Sequence, residues 1–151
     1  MLKKLFYKGA GVLLYRMTED DECNVLLFKR NNNPDKHRYS ITGGKMDAGD
    51  RDDYRTTAAR ETLEEVGIRV DIPKDCPHQS TNLFFFKWKT YFLPYEGVID
   101  ERRFRRSEIL GYIEVPLKEA LRRNDIGCPM PRTLRALRRK LSNQRPIDRF
   151  N

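Results

Sequence analysis

GGKMDAGDRDDYRTTAARETLEEVGI, residues 43–68, is the stretch from which the rest of the chain can be interpreted. Its second half predicts a helix over residues 53–66, because Gly67 follows where a left-handed helix cap favours glycine. On a wheel of about 100° per residue, one side carries the residues expected to pack on a sheet, namely Arg55, Ala59, Thr62, Leu63 and Val66. The opposite side carries Glu61, Glu64 and Glu65.

The three glutamates are neighbours at spacings i, i+3 and i+4, where like charges destabilise a helix. They also lie in the last turns, where the helix macrodipole favours cations. A bound hard cation removes both penalties, and carboxylates are oxygen ligands that suit Mg²⁺ and Mn²⁺. The alternative is an acidic surface face that Arg60 and nearby lysines neutralise. The glycine-rich segment before the helix favours the metal site.

This stretch resembles the Nudix box, whose pattern is G-x5-E-x7-R-E-U-x-E-E-x-G-U, where U is a bulky aliphatic residue. The matching residues are Gly44, Asp50, Arg60, Glu61, Glu64, Glu65, Gly67 and Ile68. Three departures stand out: Asp50 replaces a glutamate, nine residues instead of seven separate it from Arg60, and Thr62 replaces an aliphatic residue. The two extra residues are expected to lengthen the loop at residues 51–53. Asp52 is the acid in strict register with the helix, so either Asp50 or Asp52 can fill the first acidic position.

Outside the box, predicted strands alternate with helices, which indicates a mixed α/β fold. The predicted strands are two within residues 4–16, then 24–30, 38–42, 68–73, 83–93 and 109–115. The strand at 24–30 is apolar enough to be buried on both faces. Pro116 begins a predicted helix, and residues 131–144 form the last one, with Leu134, Leu137 and Leu141 on one stripe. The resemblance implies the Nudix-type α/β/α sandwich with a curled mixed β-sheet, and the length favours a single domain over residues 1–151.

The composition of the chain indicates the kind of partner and the cellular location to expect. The chain has 30 Lys and Arg against 22 Asp and Glu, a net charge of +8, which favours anionic partners such as phosphates or RNA. Its three cysteines, Cys23, Cys76 and Cys128, are odd in number and far apart, which favours a reducing, cytoplasmic location. The basic start lacks a clean signal-peptide pattern, and no stretch predicts a membrane span.

The resemblance implies a hydrolase that splits a nucleoside diphosphate linked to another group, X. Water attacks one phosphorus of the pyrophosphate, and Mg²⁺ or Mn²⁺ neutralises the phosphate oxygens and activates the water. The implied metal ligands and catalytic acids are Glu61, Glu64 and Glu65, completed by a carbonyl of Gly43 or Gly44. Arg60 is expected to support the glutamates by pairing with Asp50.

Further candidates lie outside the glutamate helix. Phosphate contacts are expected from the basic residues Lys29, Arg30, Arg38 and Lys45. A further catalytic acid is expected at Glu108, counted back from the turn at 115–117, with Glu96, Asp100 and Glu101 as alternatives. The aromatic residues Phe84, Phe85, Phe86, Trp88 and Tyr91 either fill the core or include a base-stacking platform. The arginines of the last helix either form a solvated face or contact nucleic acid.

Three classes of function remain open at this stage. The first is a pyrophosphohydrolase of a small nucleotide, such as a dinucleoside polyphosphate, ADP-ribose or a nucleoside triphosphate. The second is the same chemistry on a capped or triphosphorylated RNA end. The third is a Nudix-like binding module without catalysis, which the irregular box permits. The intact Glu61, Glu64 and Glu65 favour the first two, while the identity of X and the oligomeric state have no signature in the sequence.

Overall fold

The computed structural model describes residues 6–128 and 130–144 and shows a seven-stranded mixed sheet between helices. The strands are β1 (Tyr7–Met17), β2 (Cys23–Arg30), β3 (Tyr39–Ser40), β4 (Thr42–Lys45), β5 (His78–Leu83), β6 (Phe86–Pro94) and β7 (Ile109–Pro116). The helices are α1 (Tyr54–Val66), α2 (Leu117–Ala120) and α3 (Met130–Gln144). Among the described residues, no helix is both long enough and apolar enough to cross a membrane.

Strand β1 organises the sheet because it pairs with three other strands. On one edge of β1, residues 7–15 pair in parallel with β6. The other edge is shared: residues 9–12 pair with β4, and residues 14–17 pair with β2, both antiparallel. Strand β2 then runs on to pair with β3 and β7, while β5 pairs with β6. Strands β1 and β2 are therefore paired over residues 14–17 and 23–26. Beyond these residues they separate, with β4 next to β1 and β3 next to β2.

Each face of the sheet carries its own hydrophobic core, as the alternation of strand side chains requires. On one face, Ala10 and Leu14 of β1 pack with Ala58 and Val66 of α1. On the other face, Leu13 of β1 belongs to the core that contains the α3 residues, Leu134 and Leu137 among them. Helices thus cover both faces, which confirms the predicted α/β/α arrangement. Strand β2 contributes to both cores, so its predicted burial on two faces is also confirmed.

Helix α1 has the predicted ends but a different packing side. Asp53 accepts the Arg55 backbone N–H at 2.9 Å at the start, and Gly67 ends the helix with a φ of 70°. The buried residues of this helix are Thr57, Ala58, Thr62, Glu65 and Val66. The prediction that all three glutamates face away from the packing side was therefore wrong for Glu65, which is 1% exposed. The hydroxyls of Thr62 and Thr42 share a hydrogen bond at 2.8 Å, which fixes this side of the helix against β4.

Two strand predictions in the first half of the chain need correction. The two strands predicted within residues 4–16 are one strand, β1, and residues 4 and 5 lie outside the described range. Gly9 permits the close pairing of β1 with β4, because an added Cβ there would lie 2.6 Å from the Gly44 carbonyl oxygen of the paired strand. The strand predicted at 38–42 is divided into β3 and β4, and the two glycines after it belong to β4.

Two more corrections concern the middle of the chain. Residues 68–73 form no strand: Ile68 and Ile72 bury their side chains in the α1-side core, while the backbone stays outside the sheet. The alternating apolar residues indicate that alternate side chains are buried. An extended segment outside a sheet can bury them in the same way. The aromatic run at 83–93 is a hairpin, with Phe84 and Phe85 in its turn and a strand before it, β5, that was not predicted. Five of the six β5 residues are polar, so β5 lacks the apolar alternation that identifies a strand.

Candidate active site

Asp50 occupies a buried, charged position immediately before α1. Its carboxylate accepts hydrogen bonds from Arg60 Nε and Nη2, both at 2.9 Å, from the Thr57 hydroxyl at 2.9 Å and from the Asp47 backbone at 3.0 Å. The hydrogen bond from Arg60 is the largest influence on the carboxyl group and lowers the pKa of Asp50 to about 2. Asp50 therefore makes the contact with Arg60 that the resemblance assigned to the first acid of the box.

The two extra residues of the box are accommodated in a left-handed turn. Arg51 has a φ of 53° and Asp52 a φ of 60°, conformations that few non-glycine residues adopt. The Asp53 backbone N–H then donates to the Asp50 carbonyl at 3.0 Å, which closes the turn. Asp52 lies outside the site, where its exposed carboxylate pairs with Lys8 at 2.8 Å. The loop is lengthened at the predicted place, and Asp50 alone of the two acids reaches Arg60.

Arg60 connects the loop acid to the glutamates of α1. Its Nη1 donates to Glu61 at 3.0 Å and to Glu64 at 3.2 Å, and its Nη2 donates to the Lys45 carbonyl at 3.0 Å. One guanidinium therefore spans Asp50, two glutamates and strand β4. It supplies countercharge to the acidic cluster, as expected for the neutralised acidic face that was the alternative to a metal site.

Glu65 is the most buried acid of the cluster. Arg30 Nη1 of β2 donates to its carboxylate at 2.7 Å. Burial outweighs this ion pair and raises the pKa of Glu65 to about 8, and the nearby charges of Glu108 and Glu61 act in the same direction. Arg30, which the sequence predicts as a phosphate contact, both donates to Glu65 and lines the cleft described below.

Glu61 lies directly against the backbone of β4. A Cβ added to Gly44 would come within 2.5 Å of Glu61 Oε1, so this approach needs the glycine. Burial raises the pKa of Glu61, and Glu64 and Glu108 add repulsion. Glu108 is thus a close electrostatic neighbour of both Glu61 and Glu65, and its own ion-pair partner is Arg105 at 3.3 Å.

Several of the acidic and basic residues described above line one cleft of about 470 Å³. Of the predicted site residues, its walls include Arg30, Gly44, Lys45, Glu61, Glu65 and Glu108. Its described walls do not include Glu64, which is 37% exposed beside Arg60, nor the alternative acids Glu96, Asp100 and Glu101. Arg38 is also directed elsewhere, because it donates to the carbonyls of Asn124 and Ile126 at 3.2 and 3.3 Å.

The aromatic residues divide among three environments. Phe86 and Trp88 line the cleft together with Tyr7, which the sequence did not single out. Phe84 and Phe85 are exposed in the hairpin turn, and Tyr91 belongs to the α1-side core. Gln79 and Thr81 of β5 also line the cleft and were missed. Once β6 is known to pair with both β1 and β5, the alternation of Phe86, Trp88 and Thr90 identifies this wall.

The donor chemistry of the cleft fits a hard divalent cation. Glu61, Glu65 and the β4 backbone offer oxygen ligands within one cleft, and the contact between Glu61 and Gly44 brings the backbone next to a carboxylate. Across residues 6–128 and 130–144, no three His, Cys, Asp or Glu side chains are arranged so that together they could hold a metal ion. Arg30 and Arg60 hold Glu65 and Glu61, so metal binding requires these carboxylates to share or exchange their partners.

Comparison with known proteins identifies the class. The NUDIX domain model matches residues 6–136, so the chain belongs to the Nudix family, the class of the Nudix hydrolases. A Caenorhabditis elegans Ap4A hydrolase in a binary complex has a TM-score of 0.67 at 23% identity, covering 91% of this chain and 98% of that one. No curated protein matches the sequence.

Two further solved structures share the fold at lower identity. A MutT protein from Methanosarcina mazei Go1 has a TM-score of 0.67 at 18% identity, with 93% of this chain and 96% of that one covered. The NUDIX domain of Shewanella oneidensis NrtR, complexed with ADP ribose, has a TM-score of 0.65 at 14% identity, with 90% and 88% covered. At these identities the likeness concerns the fold.

Proposed function

We propose that the protein is a Mg²⁺- or Mn²⁺-dependent pyrophosphohydrolase that cleaves a small nucleotide of the form nucleoside diphosphate linked to X. One observation carries this proposal. Among the residues that line the cleft are the acids Glu61, Glu65 and Glu108, the basic residues Arg30 and Lys45, and a wall of aromatic rings. The carboxylates can bind a metal ion, the lysine can pair with phosphate oxygens, and the aromatic rings can stack on a nucleobase.

In this mechanism Glu61, Glu64 and Glu65, with the Gly44 carbonyl, would hold the metal. The chemistry it supplies when bound is neutralisation of phosphate charge and a lower pKa for coordinated water. Lys45 contacts the phosphate oxygens. A bond forms between the water oxygen and phosphorus while the bridging P–O bond breaks, which gives two phosphate-terminated products. We assign Glu108 as the acceptor of the water proton, because its partner Arg105 is half exposed, whereas Arg30 and Arg60 hold Glu65 and Glu61.

The cleft favours a small nucleotide over a long RNA. Its volume of about 470 Å³ lies within the range typical of small-molecule sites. The names of two similar structures, an Ap4A hydrolase and a domain complexed with ADP ribose, also mention small nucleotides. We therefore propose dinucleoside polyphosphates, ADP-ribose and nucleoside triphosphates as the first substrates to test.

The test is a substrate screen with Mg²⁺ and Mn²⁺ on the wild type and on Glu64→Gln. This change keeps the shape of the side chain and removes one charge from an acidic cluster, so turnover should fall by orders of magnitude while stability is retained. Glu119→Gln is the matched control, because Glu119 lies on α2 and pairs with Arg123. Nucleotide binding without turnover by the wild type would instead identify a binding module. A Glu64→Gln protein that fails to fold would make the cluster structural.

The exposed arginines of α3, Arg132, Arg135, Arg138 and Arg139, keep an RNA-end hydrolase as the second candidate. RNA bound through several basic residues should lose affinity steeply as salt rises, because counterions are released on binding. The KM of a small nucleotide should depend less on salt. RNA binding that stays tight at physiological salt, and is lost when Arg135, Arg138 and Arg139 are neutralised, would favour the RNA substrate.

A further inference from the structure

We propose that Trp88 is the base-stacking residue of the cleft, that Phe86 and Tyr7 stack beside it, and that Gln79 contacts the edge of the base. This inference deepens the proposed function, since it names the part of the nucleotide that this wall of the cleft receives. It is carried by the ring geometry, by the glycines beneath Trp88 and by the position of Trp88 relative to the acidic cluster.

The three rings form a group of near-parallel, offset-stacked rings. The Tyr7 and Phe86 centroids are 5.3 Å apart with 11° between planes, and the Phe86 and Trp88 centroids are 6.3 Å apart with 5°. Tyr7 and Trp88 are 6.3 Å apart with 16° between planes. All three side chains line the cleft, and Phe86 is 37% exposed. A planar base can add to such a group of near-parallel rings by the offset stacking that aromatic pairs prefer.

The backbone beneath Trp88 is made of glycines. An added Cβ would lie 2.6 Å from the indole ring at Gly9, 3.1 Å from it at Gly11 and 3.0 Å from it at Gly43. One side of the indole therefore lies on bare backbone of β1 and β4. The indole N–H donates to the Thr90 hydroxyl at 2.9 Å, which satisfies its polar atom and fixes the ring. A large aromatic side chain held in this way needs little further ordering when a base stacks on it.

Adjacent glycines link this surface to the acidic cluster. Gly43 contacts the Trp88 ring, and Gly44, the next residue, contacts the Glu61 carboxylate. Successive residues of a strand point to opposite faces, so the two contacts lie on opposite faces of β4, and the cleft that Trp88 and Glu61 both line reaches both faces of this strand. A nucleotide whose base stacks on Trp88 can therefore direct its phosphates towards Glu61 and Lys45 through its ribose. The arrangement matches the order of base, sugar and phosphate in a nucleoside diphosphate.

Polar side chains on β5 border the ring surface. Thr81 pairs with Trp88 and Gln79 pairs with Thr90 across the antiparallel ladder, so these side chains share one face of the sheet. Gln79 and Thr81 both line the cleft. The side-chain amide of Gln79 carries a donor and an acceptor, which is the pair of groups needed to contact the edge of a base. Gln79 is thus the specificity-determining residue that we assign.

The first experiment uses the fact that Trp88 is the single tryptophan of the chain. Its fluorescence is titrated with ADP, GDP, CDP, UDP and inorganic pyrophosphate, in the presence of Mg²⁺. We expect ADP and GDP to quench the emission at lower concentration than CDP and UDP, and pyrophosphate to leave it unchanged. Equal quenching by pyrophosphate, or unchanged emission at ADP concentrations that saturate binding by calorimetry, would overturn the proposal. This readout does not require turnover, so it separates the inference from the proposed hydrolase activity.

The second experiment compares Trp88→Ala, Trp88→Phe and Gln79→Ala with the wild type. Trp88→Ala should weaken the Kd for ADP roughly 10- to 100-fold, within the range that alanine substitution gives for one stacked base. With a turned-over substrate, KM should rise by a similar factor while kcat changes little. Trp88→Phe should recover most of the affinity. If Trp88→Ala fails to fold, Trp88→Phe still tests the assignment, because it keeps an aromatic ring at this position. Gln79→Ala should reduce the difference between ADP and GDP.

The matched control is Phe84→Ala, because Phe84 lies in the same hairpin and is 76% exposed but does not line the cleft. It should leave the Kd and KM unchanged. Wild-type affinity in both Trp88→Ala and Trp88→Phe would contradict the assignment of Trp88, whether or not the protein hydrolyses nucleotides.

Discussion

Arg30 on β2 donates to the buried carboxylate of Glu65 on α1 across 2.7 Å, and this ion pair joins the sheet to the helix that carries the acidic cluster. Arg30→Gln removes the charged donor and leaves a buried acid without its partner. We expect the free energy of unfolding, measured by urea denaturation, to fall by about 2 kcal/mol. Lys118→Gln, which breaks an exposed pair with Glu22, is the control and should cost much less. Equal losses in the two variants would contradict this view of Arg30.

Asp50 and Asp52 provide a matched pair of substitutions. Asp50→Asn breaks the paired hydrogen bonds to Arg60 and should lower stability on the order of 3 kcal/mol, together with activity. Asp52→Asn removes an exposed contact with Lys8 and should change neither. Thermal unfolding and turnover of both variants test this directly. A larger effect at Asp52 than at Asp50 would mean that the acid in strict register fills the family position after all.

The lowered pKa of Asp50 predicts an acid-dependent part of the stability. Its pKa is about 2 in the folded protein against an ordinary value of 3.8, so protonation favours the unfolded chain. The contribution is fully present above about pH 4 and is lost as the pH falls towards about 2, with a maximum of about 2 kcal/mol. Urea denaturation of the wild type and Asp50→Asn at pH 6, 4 and 3 measures it. The difference between them should shrink with falling pH, and a constant difference would refute the assignment.

Gly44→Ala tests the close approach of Glu61 to β4. The new Cβ would displace the flexible end of the Glu61 side chain, so we expect a large loss of turnover and of metal affinity with little change in melting temperature. Gly111→Ala is the control, because its added Cβ would meet its nearest neighbour at an ordinary 3.5 Å. Turnover and Mn²⁺ affinity are measured on both. Normal Mn²⁺ binding by Gly44→Ala would remove the β4 backbone and Glu61 from the proposed metal site.

Metal addition should stabilise the folded protein. A cation that binds the folded cluster raises the free energy of unfolding by about 2.7 kcal/mol at 100 times its Kd. We expect Mg²⁺ and Mn²⁺ to raise the melting temperature of the wild type, and Glu61→Gln to lose most of this shift. Glu119→Gln should keep it. Activity that survives exhaustive chelation would sink the metal-dependent mechanism.

The sequence predicts those features of the structure that depend on residues close together along the chain. The capping residues Asp53 and Gly67 define the ends of α1, and the spacing of the glutamates is visible without a fold. The pairing of Arg60 with one of two nearby acids follows from the box. Which of Asp50 and Asp52 pairs with Arg60 depends on the left-handed turn, because the conformation of Arg51 and Asp52 determines which carboxylate turns inward.

The remaining features depend on contacts between distant parts of the chain. Glu65 is buried because the hydrogen bond between Thr62 and Thr42 sets which side of α1 meets the sheet. Its partner Arg30 lies 35 positions away along the chain, so no local pattern links them. Arg38 resembles Arg30 in type and neighbourhood, yet it turns to the carbonyls of Asn124 and Ile126. Both outcomes depend on the long-range packing of the chain.

The turn at Arg51 and Asp52 is also a place where the chain can be lengthened. Asp50 is anchored on one side by Arg60, Asp53 begins α1 on the other, and the two are joined by a backbone hydrogen bond at 3.0 Å. Arg51 and Asp52 lie between these two anchors. The positions of Asp50 and Asp53 are fixed by their own contacts, whatever the number of residues between them. A reporter peptide or fluorophore tether grafted there would therefore leave both anchoring aspartates in position.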